Sequence, residues 1–401
     1  MDLRMSAAAP DTAPEDVAWG SGRYVAADDA ASALADTRRA GAPAHHIDSP
    51  ALAAEVADRL IDLAFSTWGF GDSVAFDALV TASERLGDER WARFAHGWGR
   101  AWATRAQPFV RLDCTAPGRA LAHLAVRYQD AQLLAALRQL ADYLMSRPVL
   151  NGVYETWQSS PLLSPYSGVP LDGEQTALLA SPPPGVFVDC LHFDPPFLVA
   201  LGLATGESRY TDAGIDQALG YIALLQTDSG LFDHFALRGQ PQTFGPGWGR
   251  GQGWAMLGML DVLESLRENP ADKHAEILAI TTSVERLLRQ MIALQRSDGH
   301  WYAVVTDSLS GNEFSTAAFM VVALAQAVRM GVLQDVEVIE PMQRARKAVL
   351  ASLDADAQLR EVSAAVYAST EPSHYASVPR GFVVPWGQGP ALLALLAAVM
   401  T

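Results

Sequence analysis

Helical spacing begins in residues 49–65, SPALAAEVADRLIDLAF, and continues through most of the chain. Within this stretch Leu52, Val56 and Leu60 recur every four residues, which places them on one face of an amphipathic helix. The same test predicts about twelve helices, at 49–66, 73–86, 88–104, 116–128, 131–147, 187–204, 208–226, 250–268, 271–295, 313–330, 338–353 and 387–400. Strand-like alternation is confined to short pieces such as 301–305, so the sequence predicts an all-α fold.

A weak internal repeat indicates that these helices are paired in hairpins. Residues 86–91 (LGDERW) resemble residues 205–210 (TGESRY): in both, a Gly ends one helix and an acidic residue opens the next. Tandem hairpins form either an open solenoid or a closed ring. Long connections rich in Gly, Pro and aromatic residues, at 148–186, 227–249 and 354–386, favour a ring whose long loops gather at one end as a binding face.

The composition is that of one large folded domain behind an irregular leader. Half of the 401 residues are hydrophobic and only 18% are charged, which supplies ample apolar material for a core. Residues 1–45 are rich in Ala, Asp and Pro without sustained periodicity, so we expect an irregular lead-in. The predicted barrel domain covers residues 46–401.

The charge and the residue spacings exclude several classes of function. A formal net charge of −16 without a Lys/Arg run argues against a nucleic-acid partner, but not against a carboxylated sugar that one buried Arg could bind. No segment has the apolar length of a signal peptide or a membrane span, which predicts a cytoplasmic protein with no membrane partner. The two cysteines predict no disulfide framework, and the nine scattered histidines predict no metal site. We expect no cofactor.

The densest chemical signal is the segment 247–254, Gly-Trp-Gly-Arg-Gly-Gln-Gly-Trp. Four glycines in seven positions are poor helix formers, so helicity does not explain them. Trp248 and Trp254 offer flat faces for sugar rings, and Arg250 offers a fork for a carboxylate. A glycine-rich loop with two core tryptophans is the structural alternative.

Two acids at predicted helix starts are the candidate catalytic groups. Asp189 opens the segment 189–197 (DCLHFDPPF), and Asp113 lies in 111–118 (RLDCTAPG); each acid precedes a cysteine. Either acid could be a plain helix cap. Two acids at the same end of a helical barrel would, however, face each other across its opening, which is how one carboxyl keeps the proton of a general acid.

Three further segments carry polar or aromatic side chains. His234, at the end of 230–234 (GLFDH), could hydrogen-bond a sugar hydroxyl or share a proton with a carboxylate, or it could be a structural histidine. The turn 298–302 (DGHWY) contains Trp301. Glu313 opens a predicted helix, where capping is the preferred interpretation.

Together and in this order, the segments resemble the unsaturated glucuronyl and rhamnogalacturonyl hydrolases, glycoside hydrolase families 88 and 105. The resemblance covers about residue 50 to the last residue of the sequence. Residues 248–254 match the W-G-R-G-N/Q-G-W motif of these families, and 189–197 match D-x-L-Y/F-M-x-x-P-F. The resemblance implies a barrel of six helical hairpins, the (α/α)6 fold.

The resemblance also implies roles for residues. Asp189 aligns with the proton donor, and Asp113 with a second acid close to it. His234, Trp248, Arg250 and Trp254 fall in the sugar pocket; the same motifs assign Gln252, His192 and Trp301 to substrate binding. His192-Phe193 stands where an aromatic residue and Met are usual, and Asp194 where a small residue is common. A third pocket carboxylate would disfavour an anionic substrate unless it is protonated or paired.

The implied reaction is hydration of an unsaturated uronic acid at the end of a small oligosaccharide or glycoside. Asp189 would donate a proton to the fourth carbon of the enol ether, water would add at the fifth, and the hemiketal would open and expel the remaining sugar. Three alternatives stay open at this point. They are a repurposed enzyme acting on an unusual glycosylated metabolite, a sugar epimerase with paired histidines, and a non-catalytic carbohydrate-binding barrel.

Overall fold

The computed structural model describes residues 38–63, 65, 68–105, 109, 111–156, 161–163, 166, 170–267 and 273–397. Most of the predicted lead-in, 1–37, therefore lies outside the described residues. Residues 38–44 run alongside the loop before the last helix, where the backbone of Arg39 pairs with that of Phe382. Within the described part of the chain, no helix is long and apolar enough to cross a bilayer.

Twelve long helices form six hairpins in the described chain. The inner helices are α2 (Asp72–Leu86), α4 (Gly118–Arg127), α7 (Cys190–Thr205), α9 (Gly249–Arg267), α11 (Ser315–Met330) and α14 (Pro385–Ala397). The outer helices are α1 (Pro50–Ile61), α3 (Arg90–Arg105), α5 (Ala131–Met145), α8 (Ser208–Leu225), α10 (His274–Ala293) and α12 (Asp335–Ala351). These correspond to the twelve predicted helices, with end shifts of up to five residues; the predicted positions 268, 271–272 and 398–400 lie outside the described residues.

The inner helices form a closed ring. Each packs against the next inner helix in chain order, and α14 packs against both α11 and α2. At the closing contact a Cβ on Gly389 would lie 2.9 Å from the Cα atom of Ala75, so only glycine allows α14 and α2 to approach this closely. The all-α barrel of six hairpins predicted from the sequence is confirmed.

The glycines of α9 allow similarly close packing inside the ring. A Cβ on Gly253 would lie 2.5 Å from the ring of Phe319 on α11, and one on Gly258 would lie 2.2 Å from the carbonyl oxygen of Leu191 on α7. Almost every side chain along α9 is buried, because the helix has inner-ring neighbours on both sides and an outer helix behind it. Close helix packing therefore explains part of the glycine-rich motif.

The two ends of the ring differ in the length of their connections. The inner helices begin at one end of the ring, here called the loop end, and stop at the other, the return end. A short connection leads from each inner helix except α14 to an outer helix in the described chain. Gly87 and Gly206, with φ of 69° and 71°, end α2 and α7 in the left-handed conformation. The predicted repeat thus marks two equivalent short returns.

Small elements lie in the connections between the long helices, and of these only the strand-like piece at 301–305 was predicted. They are β1 (Val149–Leu150), β2 (Val153–Tyr154), α6 (Gly173–Ala180), β3 (Gly185–Phe187), β4 (Phe235–Leu237), β5 (Thr243–Phe244), β6 (Tyr302–Val304), β7 (Asp307–Asn312) and α13 (His374–Ser377). Strands β3, β4 and β5 form one antiparallel sheet, with Phe187 paired to Phe235 and Phe235 to Phe244. This sheet brings the start of α7 next to the segment that carries His234.

Candidate functional site

Asp189 stands at the junction between strand β3 and helix α7. The Val188 amide before it donates to the His234 carbonyl at 2.8 Å, which fixes the chain as it enters the helix. Asp189 occupies the N-cap position, but its own backbone is helical (φ −53°, ψ −38°) and its side chain makes no capping hydrogen bond. The simple capping alternative therefore does not describe this residue, whose carboxylate is directed elsewhere.

The carboxylate of Asp189 faces a histidine that a tyrosine holds in place. His234 Nε2 lies 3.4 Å from Asp189 Oδ2, and His234 Nδ1 lies 2.7 Å from the hydroxyl of Tyr375 on α13. Burial, reinforced by the charges of Asp189 and Asp233, raises the pKa of Tyr375 well above its usual value, so the hydroxyl keeps its proton. A Tyr375 hydroxyl that donates to Nδ1 leaves the imidazole proton on Nε2, facing Asp189.

Aromatic side chains surround this pair. Trp248 packs against the His234 ring with centroids 4.3 Å apart, and Phe187 meets the same ring edge-on at 5.3 Å. A cleft at the loop end brings Asp189, His234 and Trp248 together, as expected from the sequence. Its remaining described lining is apolar or aromatic: Phe70, Leu162, Phe187, Val366, Tyr367 and Ala368. A carboxylate beside aromatic faces is an arrangement suited to protonating a sugar.

Asp113 lies in a neighbouring 3₁₀ helix, Arg111–Thr115, which packs against α7. Its Oδ1 accepts a hydrogen bond from the Trp102 indole at 3.2 Å. The next residue, Cys114, hydrogen-bonds Cys190, the residue after Asp189; burial and this bond raise the pKa of Cys190. The segments that carry the two acids are therefore in contact, and both thiols are free, so no disulfide is formed.

Arg250 forms an ion pair with Glu313 and does not line the cleft. Its guanidinium donates to Glu313 Oε1 at 3.0 Å, to Ser363 Oγ at 2.7 Å and to the Ala364 carbonyl at 3.3 Å. Burial lowers the pKa of Arg250, while the charges of Glu313 and Asp189 oppose that effect. The guanidinium carbon lies over the Trp248 ring, 4.9 Å from its centroid, so Arg250 packs against this ring and helps to hold it in place.

Glu313 is the centre of the polar cluster around Arg250. Besides the arginine, it accepts bonds from the hydroxyls of Ser315 and Thr316 and from the Thr316 amide at 3.3 Å. The Thr316 amide is one of the free N–H groups at the start of α11, and Glu313 accepts from it although Phe314, the residue after Glu313, occupies the N-cap position. Glu313 is only 2% exposed, so it holds the start of α11 to Arg250 inside the protein.

Three other candidates are enclosed among neighbouring side chains, away from the described lining of the cleft. Gln252 bonds both the amide and the carbonyl of Phe232, each at 2.8 Å, and so ties α9 to the segment that carries His234. Trp254 meets the rings of its neighbours inside the barrel, and the Trp301 indole donates to the Met291 carbonyl at 2.8 Å. Neither tryptophan has any exposed surface, because inner and outer helices cover both.

His192 and Asp194 also point away from the cleft, in different directions. His192 lies on the inside of the ring, with its Nε2 3.6 Å from Asp261 Oδ2 on α9. Burial lowers the pKa of His192 to about 3, so the ring is neutral. Asp194 forms a buried ion pair with Arg147. Asp194 therefore does not place a third carboxylate in the cleft, where it would disfavour an anionic substrate.

Tyr375 is the residue that the sequence analysis missed. It lies in the long connection 354–386, which was predicted to form part of a binding face but offered no motif. A sequence signal exists in Gly245 (φ 71°), because a Cβ there would lie 2.1 Å from the Tyr375 hydroxyl and 2.7 Å from His234 Cβ. That glycine makes room for the contact between Tyr375 and His234.

Comparison with known proteins places the chain in a family. The protein-family model described as Glycosyl Hydrolase Family 88 matches residues 55–401 of the sequence. The chain is 23% identical over 351 residues to the unsaturated rhamnogalacturonyl hydrolase YesR of Bacillus subtilis (strain 168), a match covering 86% of this chain and 94% of that protein.

Solved structures share the fold. A possible member of family GH105 from Klebsiella pneumoniae superposes with a TM-score of 0.75 at 17% identity, over 90% of this chain and 95% of the other. The unsaturated glucuronyl hydrolase from Bacillus sp. GL1 superposes with a TM-score of 0.59 at 18% identity, over 88% and 95% of the two chains. Since the family model spans most of its length, this chain belongs to glycosyl hydrolase family 88.

Proposed function

We propose that this glycoside hydrolase removes a terminal 4,5-unsaturated uronic acid from an oligosaccharide or glycoside, with Asp189 as the proton donor. The observation that carries the proposal is the position of Asp189. Its carboxylate makes no helix-capping hydrogen bond, and its Oδ2 lies 3.4 Å from His234 Nε2 in an aromatic cleft. Family membership and the similarity to an unsaturated rhamnogalacturonyl hydrolase support the same reaction.

The chemistry is addition of water across the enol-ether double bond. Asp189 gives its proton to the fourth carbon of the ring, and positive charge develops at the fifth carbon, which is bonded to the ring oxygen. Water adds there and returns a proton to the carboxylate. The resulting hemiketal opens and releases the remaining sugar, so one water is consumed and Asp189 is regenerated.

The neighbours of Asp189 position the reacting groups. His234, held through Nδ1 by Tyr375, directs Nε2 at Asp189 and at the substrate beside it. Trp248 supplies the flat face on which a planar unsaturated ring stacks. Asp113 precedes Cys114, which hydrogen-bonds Cys190 directly after Asp189, so it is the candidate second acid beside the proton donor.

Substrate entry requires the cleft to widen. Its free volume is about 20 Å³, whereas pockets for small molecules hold roughly 300–1,000 Å³. Leu162 and residues 366–368 line the cleft with Asp189 and belong to the long connections, not to the ring helices. We propose that these side chains move outward when the sugar binds, while the ring holds Asp189 in place.

The test is loss of ultraviolet absorbance from a panel of unsaturated disaccharides incubated with the purified protein. Asp189→Asn should reduce the rate by about 10²–10⁴-fold without changing the fold, because the amide cannot supply the proton. Asp172→Asn is the matched control, since Asp172 also begins a helix but does cap it, through the Gln175 amide at 2.7 Å. A wild-type rate in Asp189→Asn would refute the assignment.

The same assay separates the alternatives. A repurposed enzyme would act on an unsaturated glycoside with a non-sugar leaving group and leave the disaccharides untouched. An epimerase would isomerise a sugar without loss of absorbance, and a binding barrel would retain sugar without turnover. The expected cytoplasmic location and the absence of nucleic-acid and membrane partners stay predictions, which fractionation of cells can check.

A further inference from the structure

A second and much larger cavity lies inside the ring at the return end. It has a volume of about 1150 Å³ and is lined by residues from all six inner helices. Its polar side chains include Asp77 on α2, His192 on α7 and Asp261 on α9, all of them buried. None of these residues takes part in the hydration proposed at Asp189.

Three donor atoms of these residues face one another. His192 Nε2 lies 3.6 Å from Asp261 Oδ2 and 3.9 Å from Asp77 Oδ2, and one ligand atom from each residue lies within 4.8 Å of the other two. Separations of 3.6 and 3.9 Å exceed a hydrogen bond. They are close to the spacing of donors around a first-row divalent ion, whose bonds to nitrogen and oxygen are about 2.0–2.2 Å long.

In each of these three side chains, the polar atom that faces away from the other two side chains contacts a further residue. Arg119 on α4 reaches Asp77 Oδ1 at 3.2 Å and Asp261 Oδ1 at 3.4 Å, so its fork engages the outer oxygen of both carboxylates. Ser73 Oγ lies 2.9 Å from His192 Nδ1, which leaves Nε2 to face the carboxylates. Hydrogen bonds to the outer atoms of the ligands are typical of protein metal sites, where they orient the inner atoms.

A fourth polar side chain, Gln326, lines the same cavity. Gln326 on α11 is 7% exposed, and its Nε2 donates to Asp261 Oδ1 at 2.8 Å. Its Oε1 is buried without a hydrogen-bond partner among the described residues. A buried amide oxygen without a partner is costly, and Gln326 is bonded to Asp261, one of the three facing residues, so its oxygen is a further candidate ligand.

We propose that Asp77, His192 and Asp261 bind a divalent first-row cation such as Mn²⁺ or Zn²⁺. Two carboxylates and one imidazole are a ligand set that suits such ions. The ion reaches the site through the cavity from the return end and connects α2, α7 and α9. It stabilises the ring from inside and takes no part in the hydration reaction at the loop end.

Calorimetric titration of the chelator-treated full chain with MnCl₂ or ZnCl₂ tests this proposal. We expect one ion per chain, and a loss of affinity of at least about tenfold in His192→Gln and in Asp261→Asn. His96→Gln is the matched control, because His96 also faces a carboxylate, that of Asp130 at 2.9 Å, but lies on outer helix α3. Its affinity should equal that of the wild type. Stoichiometric binding that survives His192→Gln would overturn the proposal.

A measurement on the unmodified protein covers the case in which a variant fails to fold. Crystals of the wild type soaked in MnCl₂ should show an anomalous peak bounded by Asp77, His192 and Asp261. A peak only near Asp189, or no peak inside the ring, would overturn the assignment. Asp189→Asn should bind the ion as the wild type does, so failure of the catalytic proposal and failure of this one give different results.

Discussion

Replacement of Arg250 by Met distinguishes a structural arginine from a substrate-binding one. The structure places this residue in a closed cluster with Glu313, Ser363 and the Ala364 carbonyl, and none of its surface is exposed. Methionine keeps much of the side-chain length but removes every donor. The buried carboxylate of Glu313 then loses its counter-charge, although the hydroxyls of Ser315 and Thr316 remain.

The contacts of Arg250 determine how much stability the Arg250→Met variant should lose. Its bond to Glu313 is charge-assisted, and those to Ser363 and Ala364 end on neutral oxygens. Breaking a buried ion pair by removing one partner costs about 3–5 kcal/mol, and we expect the free energy of unfolding to fall by that amount. Because Arg250 also supports Trp248 at 4.9 Å, we expect turnover to decrease as well, but not to disappear.

Urea denaturation followed by circular dichroism measures this change. Arg289→Met is the control, because Arg289 pairs with Glu285 and Glu337 on the surface, where such pairs contribute about 0–1 kcal/mol. The double variant Arg250→Met/Glu313→Gln should be more stable than the sum of the two single changes predicts, by about 1–3 kcal/mol. A loss below about 1 kcal/mol in Arg250→Met, together with a greatly increased KM, would refute the structural role.

Three further predictions concern the site and the ring. Tyr375→Phe removes the hydroxyl that holds His234 Nδ1 and should lower kcat about tenfold with little change in KM, as steady-state kinetics would show. Burial raises the pKa of Asp72 to about 8, so the folded protein keeps a proton that the unfolded chain has lost above its usual pKa of 3.8. Stability should therefore fall as pH rises from about 4 to 8, and Asp72→Asn should flatten that slope in urea titrations across this range. Gly253→Ala should destabilise the protein by about 1–3 kcal/mol in thermal melts because its Cβ meets Phe319, whereas Gly97→Ala, in open space on helix α3, should stabilise it by about 0.5–1 kcal/mol.

The ring could be predicted from the sequence because helical periodicity is a local property. The spacing of Leu52, Val56 and Leu60 is visible within three turns, and all three side chains are buried in α1. The paired returns at Gly87 and Gly206 were equally visible, since a glycine at a helix end reports a left-handed residue there. The closure by α14 against α2 joins distant parts of the chain; the long connections only favoured a ring over an open solenoid, and the family resemblance implied the barrel of six hairpins.

The direction of each side chain on α7 could not be predicted in the same way. Asp189, His192 and Asp194 lie within six residues, yet they reach the cleft, the cavity at the return end and a buried pair with Arg147. A helix advances about 1.5 Å and turns about 100° per residue, so such small separations lead to different surroundings. Which neighbours those are depends on α2, α4, α5 and α9, whose register a local pattern does not reveal.

The tryptophan motif shows the same limit. Trp248 precedes α9 and faces His234, whereas Trp254 lies one and a half turns into the helix, where Phe193 and Phe319 enclose it. An aromatic residue that binds a sugar and one that fills a core are alike in sequence. Only the packing of the inner helices distinguishes them.

The order in which the inner helices are made has a consequence for biosynthesis. Helix α14, which seals the circle between α11 and α2, is translated after the other eleven long helices of the described chain. Until it emerges from the ribosome, the apolar faces that it will cover on α2 and α11 are exposed. The other inner helices then form an incomplete ring. Folding intermediates with exposed apolar surface of this kind are prone to aggregate. A transcript truncated before residue 385 should therefore give an insoluble product, even though it still encodes Asp189, His234 and Tyr375.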